Sequence, residues 1–438
     1  MRQRVTSCVV LIGVTGTLNW KCKALCLAGI SIAYVLGTAP VWAADLGGDC
    51  CADLEDRIAE LEVTTARKGN RKVTLSVTGY VTKQIMFWDD GVEHNAYIND
   101  IGPTQATNFR ITGEATIAPG WKAGYMIRIQ DLTDNPMGAN QDVPSSNQGL
   151  GVQMSHWYIA RKEFGKLSVG KNALAAKSAA MFTDLSGTQV IANYVLFDGG
   201  GFFLRSNGNL LALKWGDFGY CYAQQRPWGG DCDGIVMNGV RYDSPIFAGF
   251  SVSASYGEDD DWEMAARYTG TVSGFKLAFG IGYSVNTDQN TQPPPVSLSK
   301  ESEFFQAGGY AQHLATGLFL HAAYGQEDNH GKQTFAGFTE PNSHQWYVKG
   351  GVRRQWLPLG HTVLYGEWGS YIDQLSPTAL IAGASSSDFS RFGIGAVQEI
   401  DAASMALWIK YREHDAEVTG VGDIDSFRYV STGAMINF

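Results

Sequence analysis

The chain has 438 residues, 45% hydrophobic and 12% aromatic, with 52 glycines, 13 prolines and a formal charge of -10. That acidic balance has the wrong sign for a nucleic-acid surface and argues against such a partner. Mean hydropathy is -0.12, and beyond the N-terminal segment no apolar run reaches the roughly 18 residues that a membrane-spanning helix needs, so a membrane could be crossed only by strands.

Residues 1–43 contain Arg2, Arg4, Lys21 and Lys23 and no acid, then an apolar stretch over 24–36 and the small-residue pattern Val41-Trp42-Ala43. This is the pattern of a signal peptide. A second apolar run over 8–18 lies upstream of Lys21 and Lys23, which would by themselves make an adequate basic leader start. Either Met1 lies upstream of the true start or the leader is long, and N-terminal sequencing of the precursor separates the two. Losing four bases takes the formal charge from -10 to -14.

Cys8, Cys22 and Cys26 leave with the leader, and Cys50, Cys51, Cys221 and Cys232 remain. An even number in an exported chain permits disulfides. Cys221 and Cys232 flank Trp228-Gly229-Gly230-Asp231 and could close a loop, whereas adjacent Cys50 and Cys51 cannot pair without strain. No Cys-x-x-Cys or histidine cluster accompanies them, so the sequence offers no metal site of that type and implies no cofactor.

Over 49–71 the spacing of Leu54, Ile58 and Leu61, with charged residues between, predicts a helix with an a/d seam. At about two heptads it is too short to be stable alone. It therefore docks on the rest of the chain or associates with copies of itself, and 44–71 reads as a periplasmic helix and linker.

From 72 to 438 the pattern changes to strands of ten to fifteen residues, separated alternately by short turns and long polar loops. Short turns fall at Ala118-Pro119-Gly120, Glu163-Phe164-Gly165, Ser206-Asn207-Gly208, Ser273-Gly274, Ala315-Thr316-Gly317 and Leu357-Pro358-Leu359-Gly360. Long loops cover 89–105, 132–149, 172–200, 286–300, 326–343 and 374–388. Within strands the two faces differ: Trp121, Ala123, Tyr125, Ile127 and Ile129 alternate with Lys122, Gly124, Met126, Arg128 and Gln130. A soluble sandwich would alternate as well. Strand length suited to a tilted span of about 9 to 11 residues, aromatics near strand ends and a closing strand that ends in Phe438 favour a transmembrane antiparallel barrel. About eighteen candidate strands can be counted, those at 202–205 and 402–413 being the weakest, and a barrel of that size encloses water.

The segment Glu163-Phe164-Gly165-Lys166-Leu167-Ser168-Val169-Gly170-Lys171, followed by a long loop, resembles the porin pattern in which the fifth strand leads into an inward-folded loop. Residues 49–62, 67–73 and 76–79, taken with the terminal phenylalanine, resemble alphaproteobacterial general porins of the Rhizobiales type over essentially the whole mature chain. The resemblance implies a homotrimer of barrels of 16, rather than 18, strands in the Gram-negative outer membrane. Each pore would be narrowed by its third loop and would pass small hydrophilic solutes and ions passively, without enzymatic activity. The Pro-Glu-Phe-Gly-Gly motif of enterobacterial porins is absent, so no constriction acid is carried over by motif.

A pore selects by radius and by the charges at its narrowest point. Arg110, Glu114, Lys122 and Arg128 lie on the polar parity of adjacent strands and are expected in the lumen. On the inward loop Asp184 is the best candidate acid, Asp198 the other, with Lys171 as a candidate partner. The cluster Glu258-Asp259-Asp260-Asp261 reads as a solvated acidic tip, with calcium binding as the less favoured reading. Gly199-Gly200-Gly201 is a bend without the context of a phosphate cradle. A phospholipase-type enzyme is disfavoured, because adjacent Ser155 and His156 point to opposite faces of a strand. The other readings are a barrel with an adhesive or structural envelope role and a substrate-specific channel.

Overall fold

The computed structural model describes residues 73–102, 105–195, 198–222, 234, 236–287, 302–331, 334 and 337–438. The expected leader, the helix over 49–71 and Cys232 lie outside the described residues. From Lys72 onward the polar/apolar alternation has period two, and the strands follow it. Sixteen of them form one antiparallel sheet closed on itself. They are β1 (Thr74–Asp89), β2 (Asn108–Ala118), β3 (Trp121–Asp131), β4 (Leu150–Arg161), β5 (Gly165–Ala173), β6 (Val236–Asp243), β7 (Phe250–Gly257) and β8 (Asp261–Val272). The circuit continues through β9 (Phe275–Asn286), β10 (Ser302–His313), β11 (Leu318–Asp328), β12 (Ser343–Leu357), β13 (Gly360–Ile372), β14 (Ser386–Ile400), β15 (Met405–Thr419) and β16 (Phe427–Asn437).

Closure is made by β1, which pairs with β2 over Thr74–Tyr80 and with β16 over Tyr80–Asp89. Beyond β2 the free edge of β1 is covered by the short strand His94–Asn99, so no ladder edge is left open there. Phe438 completes the seam, because Gly79 and Phe438 exchange two backbone hydrogen bonds of 3.0 Å.

At one end the connections are turns of two to six residues, and at the other they are mostly long. Outward parity carries Val77, Val81, Val252, Phe279, Ile281, Leu320, Ile394 and Ile409, all exposed, with Trp157, Trp262, Trp356 and Trp368 also outward. That is an apolar band with aromatics, as lipid requires. Not every aromatic near a strand end joins that band: Trp88 and Tyr347 point inward and are buried.

The count of eighteen strands is corrected to sixteen. The extra pair is the hairpin Phe203–Ser206 and Asn209–Lys214, a separate two-stranded sheet inside the third loop. Its turn, Asn207-Gly208, has φ of 47° and 77°, the left-handed values that suit a tight hairpin. The tip is therefore part of a long loop and not one of the barrel's short turns. The weak segment at 402–413, by contrast, is part of β15 and its preceding turn.

Candidate permeation site

The described part of the third loop, 174–195, 198–222 and 234, folds into the lumen and runs along the inner wall. Near its start Ala175 N donates to Ser255 Oγ (2.8 Å) and Ala176 N to Glu263 Oε2 (2.5 Å), while Arg267 donates to Ala175 O (2.7 Å). It then crosses β9 and β10, where a Cβ at Gly280 would lie 2.2 Å from Ala179 O and one at Gly308 2.5 Å from Ala180 O. The wall lacks side chains where the alanine-rich segment 175–180 lies flat on it.

Further along, the loop is latched by ion pairs. Lys349 on β12 donates from Nζ to Asp184 Oδ2 (2.5 Å), Thr188 Oγ1 (2.7 Å) and Ala192 O (2.7 Å). Arg391 on β14 holds the carbonyls of Asn193 and Val195. Asp198 accepts from Lys410 Nζ (2.5 Å) and Arg412 Nη1 (2.8 Å) on β15, and Arg412 Nε also donates to Glu367 on β13 (2.6 Å). Burial would raise the Asp184 carboxyl, but the Lys349 charge, His321 and hydrogen bonds from Lys349 and Ser186 override it and hold it below the usual carboxylate range. Asp198 is likewise held low, burial being outweighed by Lys410 and Arg412.

The hairpin then covers the long-loop mouth beside β13–β16 and β1. Leu204, Leu213, Trp215 and Phe218 pack with Trp88, Tyr371, Phe389 and Phe427 in one apolar cluster. Arg205 ties the hairpin to the first loop through Asp90 (2.7 Å), and Ser376 Oγ of the seventh loop donates to Asp217 (2.6 Å).

The contacts of the third loop run along the inner wall from β6 round to β16, whereas on the inner faces of β2 and β3 Arg110, Thr112, Glu114 and Lys122 stay at least partly exposed. Arg110 on β2 and Arg128 on β3 stand directly opposite each other in the ladder there. Two like charges at opposed positions destabilise a sheet, and so mark a site kept for something other than stability. Arg128 is buried and donates to Asn108 Oδ1 (3.1 Å), whereas Arg110 is exposed and no carboxylate pairs with it among the described residues. Towards the short turns, Lys122 pairs with Glu114 (2.6 Å), which also accepts from Tyr158 (3.1 Å). On the third loop Phe182 (57%) and Gly187 are exposed, and both acids of 174–200 are paired with cations of the wall.

Residues 59–430 match the family described as Gram-negative porin. The chain belongs to that family. Solved structures of similar fold include the outer membrane channel DcaP of Acinetobacter baumannii, 12% identical, with a TM-score of 0.52 over 85% of this chain and 99% of that one. Salmonella typhi OmpF in complex with daunomycin is 14% identical (TM-score 0.51, 84% of this chain and 99% of that one). A loop L8 deletion mutant of OmpT, an outer membrane protein of Vibrio cholerae, is 14% identical (TM-score 0.51, 84% and 100%). No curated protein matches. The porin is thus an integral barrel of the Gram-negative outer membrane and a diffusion channel, its short turns periplasmic and its long loops extracellular.

Of the residues singled out in the porin's sequence, Arg110, Glu114, Lys122 and Arg128 come together on the inner face of β2 and β3. Lys171 does not face Asp184. It shares outward parity with exposed Leu167, stands opposite exposed Ser155, and donates to Val152 O (2.9 Å). Asp184 is met instead by Lys349, which sequence spacing could not reveal because the two are 165 residues apart. Lys410, Arg412, Arg391 and Glu367 were missed for the same reason, although each lies on the inward parity of its strand. Cys221 is disulfide-bonded. Gly199 packs against His414 and Phe427 as part of the belt.

Proposed function

We propose that this porin favours small hydrophilic anions, selected at an eyelet bounded by Arg110 and Arg128 on one side and, on the other, by the third loop over 174–195, whose acid is paired with the wall. One observation carries the reading: Asp184 and Asp198, the acids of the loop over 174–200, are both spent on wall cations, while Arg110 is exposed and no carboxylate among the described residues pairs with it. In a narrow, low-dielectric passage an uncompensated guanidinium raises the local anion concentration. Glu114 and Lys122 neutralise each other on the periplasmic side and contribute little net field.

The same reading takes each chain as one pore of a homotrimer, which one relative of similar fold supports, OmpT of Vibrio cholerae described in a trimer form. It places the porin with those of alphaproteobacteria, on the residues over 49–79 quoted above, and pairs Cys221 with Cys232 across the third loop.

Reversal potentials of the refolded, leader-free porin in a planar bilayer under a salt gradient test this. Anion selectivity that weakens in Arg110→Ala and inverts in Arg110→Glu is the expected result. Cation selectivity in the wild type, or selectivity untouched by Arg110→Glu, refutes it. Inserted barrels that carry no current would favour an adhesive or structural role.

A further inference from the structure

Where the third loop enters the barrel stands a pair of carboxylates that the latches do not use. Asp261 and Glu263 are two residues apart on β8, so both point inward, and each is only 1% exposed. Glu263 accepts from Ala176 N through Oε2. Its Oε1 and both oxygens of Asp261 have no hydrogen-bond partner, and no ion pair engages Asp261 among the described residues. Across the ladder Asn286 stands opposite Asp261, and Ser302 opposite Asn286. Ser302 is fully buried, and its hydroxyl is also without a partner.

Besides the like charge of Asp261, the charges that act on Glu263 are those of Lys177, Arg241 and Arg267. Arg241 is bound to Asp243 and to the carbonyls of Ala173 and Leu174, and Arg267 to the carbonyls of Ala175 and Lys177. Neither donates to Asp261.

Buried carboxylate oxygens without donors are costly, and each calls for an ion or a proton. Two carboxylates beside amide and hydroxyl oxygens, with no thiol or imidazole, match the needs of a hard cation. We propose that Asp261 and Glu263, with Asn286 and Ser302 completing the row, bind a divalent cation, calcium or magnesium, at the extracellular mouth. The ion ties β8 to the start of the third loop, because Glu263 already holds Ala176 N. Exposed Glu258 and Asp260 lie at the entrance, Asp260 with its carboxylate engaged by Tyr256. This site and the anion-selecting eyelet rest on different residues and stand or fall separately.

The test uses the full porin stripped with EDTA and titrated with calcium chloride or magnesium chloride by calorimetry, with melting followed by circular dichroism. One saturable site is expected, with a higher melting temperature when it is filled. Asp261→Asn and Glu263→Gln should each weaken binding by roughly tenfold or more, while Asp260→Asn leaves it unchanged. Without metal, Asp261→Asn should melt at or above the wild type, since it removes a buried acid that has no partner; this separates lost binding from lost folding. No saturable binding to the wild type, or wild-type affinity in folded Asp261→Asn, overturns the proposal.

Discussion

Replacing Lys349 with methionine tests whether ion pairs hold the third loop against the wall. Lys349 spends all three ammonium donors on the loop, at 2.5, 2.7 and 2.7 Å. In Lys349→Met the sixteen-strand ladder is untouched, but Asp184, 1% exposed at its side chain, keeps only the backbone N–H of Ser186 (3.0 Å). Removing one partner of a buried pair costs about 3–5 kcal/mol. The carboxyl can escape by taking up a proton, which at pH 7 costs about 4 kcal/mol, three pH units above an ordinary value near 3.9. The loop-opening equilibrium should therefore shift by about 10²- to 10³-fold at pH 7 and by only about tenfold at pH 5.

Hydrogen exchange of a peptide spanning 181–195 reads this directly, and channel noise reads it functionally. The double variant Lys349→Met/Asp184→Asn carries no buried charge at this position and should recover most of the protection. The reasoning fails if the single variant loses less than about tenfold at pH 7, if the loss does not shrink at pH 5, or if the double variant is as loose as the single.

The folded carboxyls of Asp184 and Asp198 titrate below their unfolded values, so the stability they add is present above about pH 4 and is lost as pH falls through the lower folded values. Conductance should be steady from pH 7 to about 4 and grow noisy below that, whereas a flat record down to pH 2 would count against the latches. Gly280→Val should displace the belt without opening the barrel, since its Cβ would meet Ala179 O at 2.2 Å. A cost of about 1–3 kcal/mol should appear as altered conductance with unchanged far-ultraviolet circular dichroism, and a wild-type conductance would show that the loop does not rest there. Arg110→Glu should invert selectivity, as the salt-gradient measurement above reads.

The barrel was legible in the sequence because its determinants are local. Period-two alternation in strands such as Trp121–Asp131, turn residues such as Pro119-Gly120, and the closing Phe438 each act over a few residues, and lipid on one face with water on the other enforces them along the whole strand. The same parity put Arg110, Glu114, Lys122 and Arg128 in the lumen. It also put Lys171 outside, away from Asp184. The hairpin at 203–214 shares the turn residues of a barrel strand pair but has strands of only four and six residues, and its packing against Trp88 and Phe427 shows that it fills the mouth instead of extending the wall. Which cation meets Asp184 or Asp198 was decided by the tertiary structure alone: Lys349 and Lys410 are more than 160 residues away in the chain, and the glycine track of Gly280 and Gly308 that lets the loop lie close enough to reach them has meaning only once the sheet has closed.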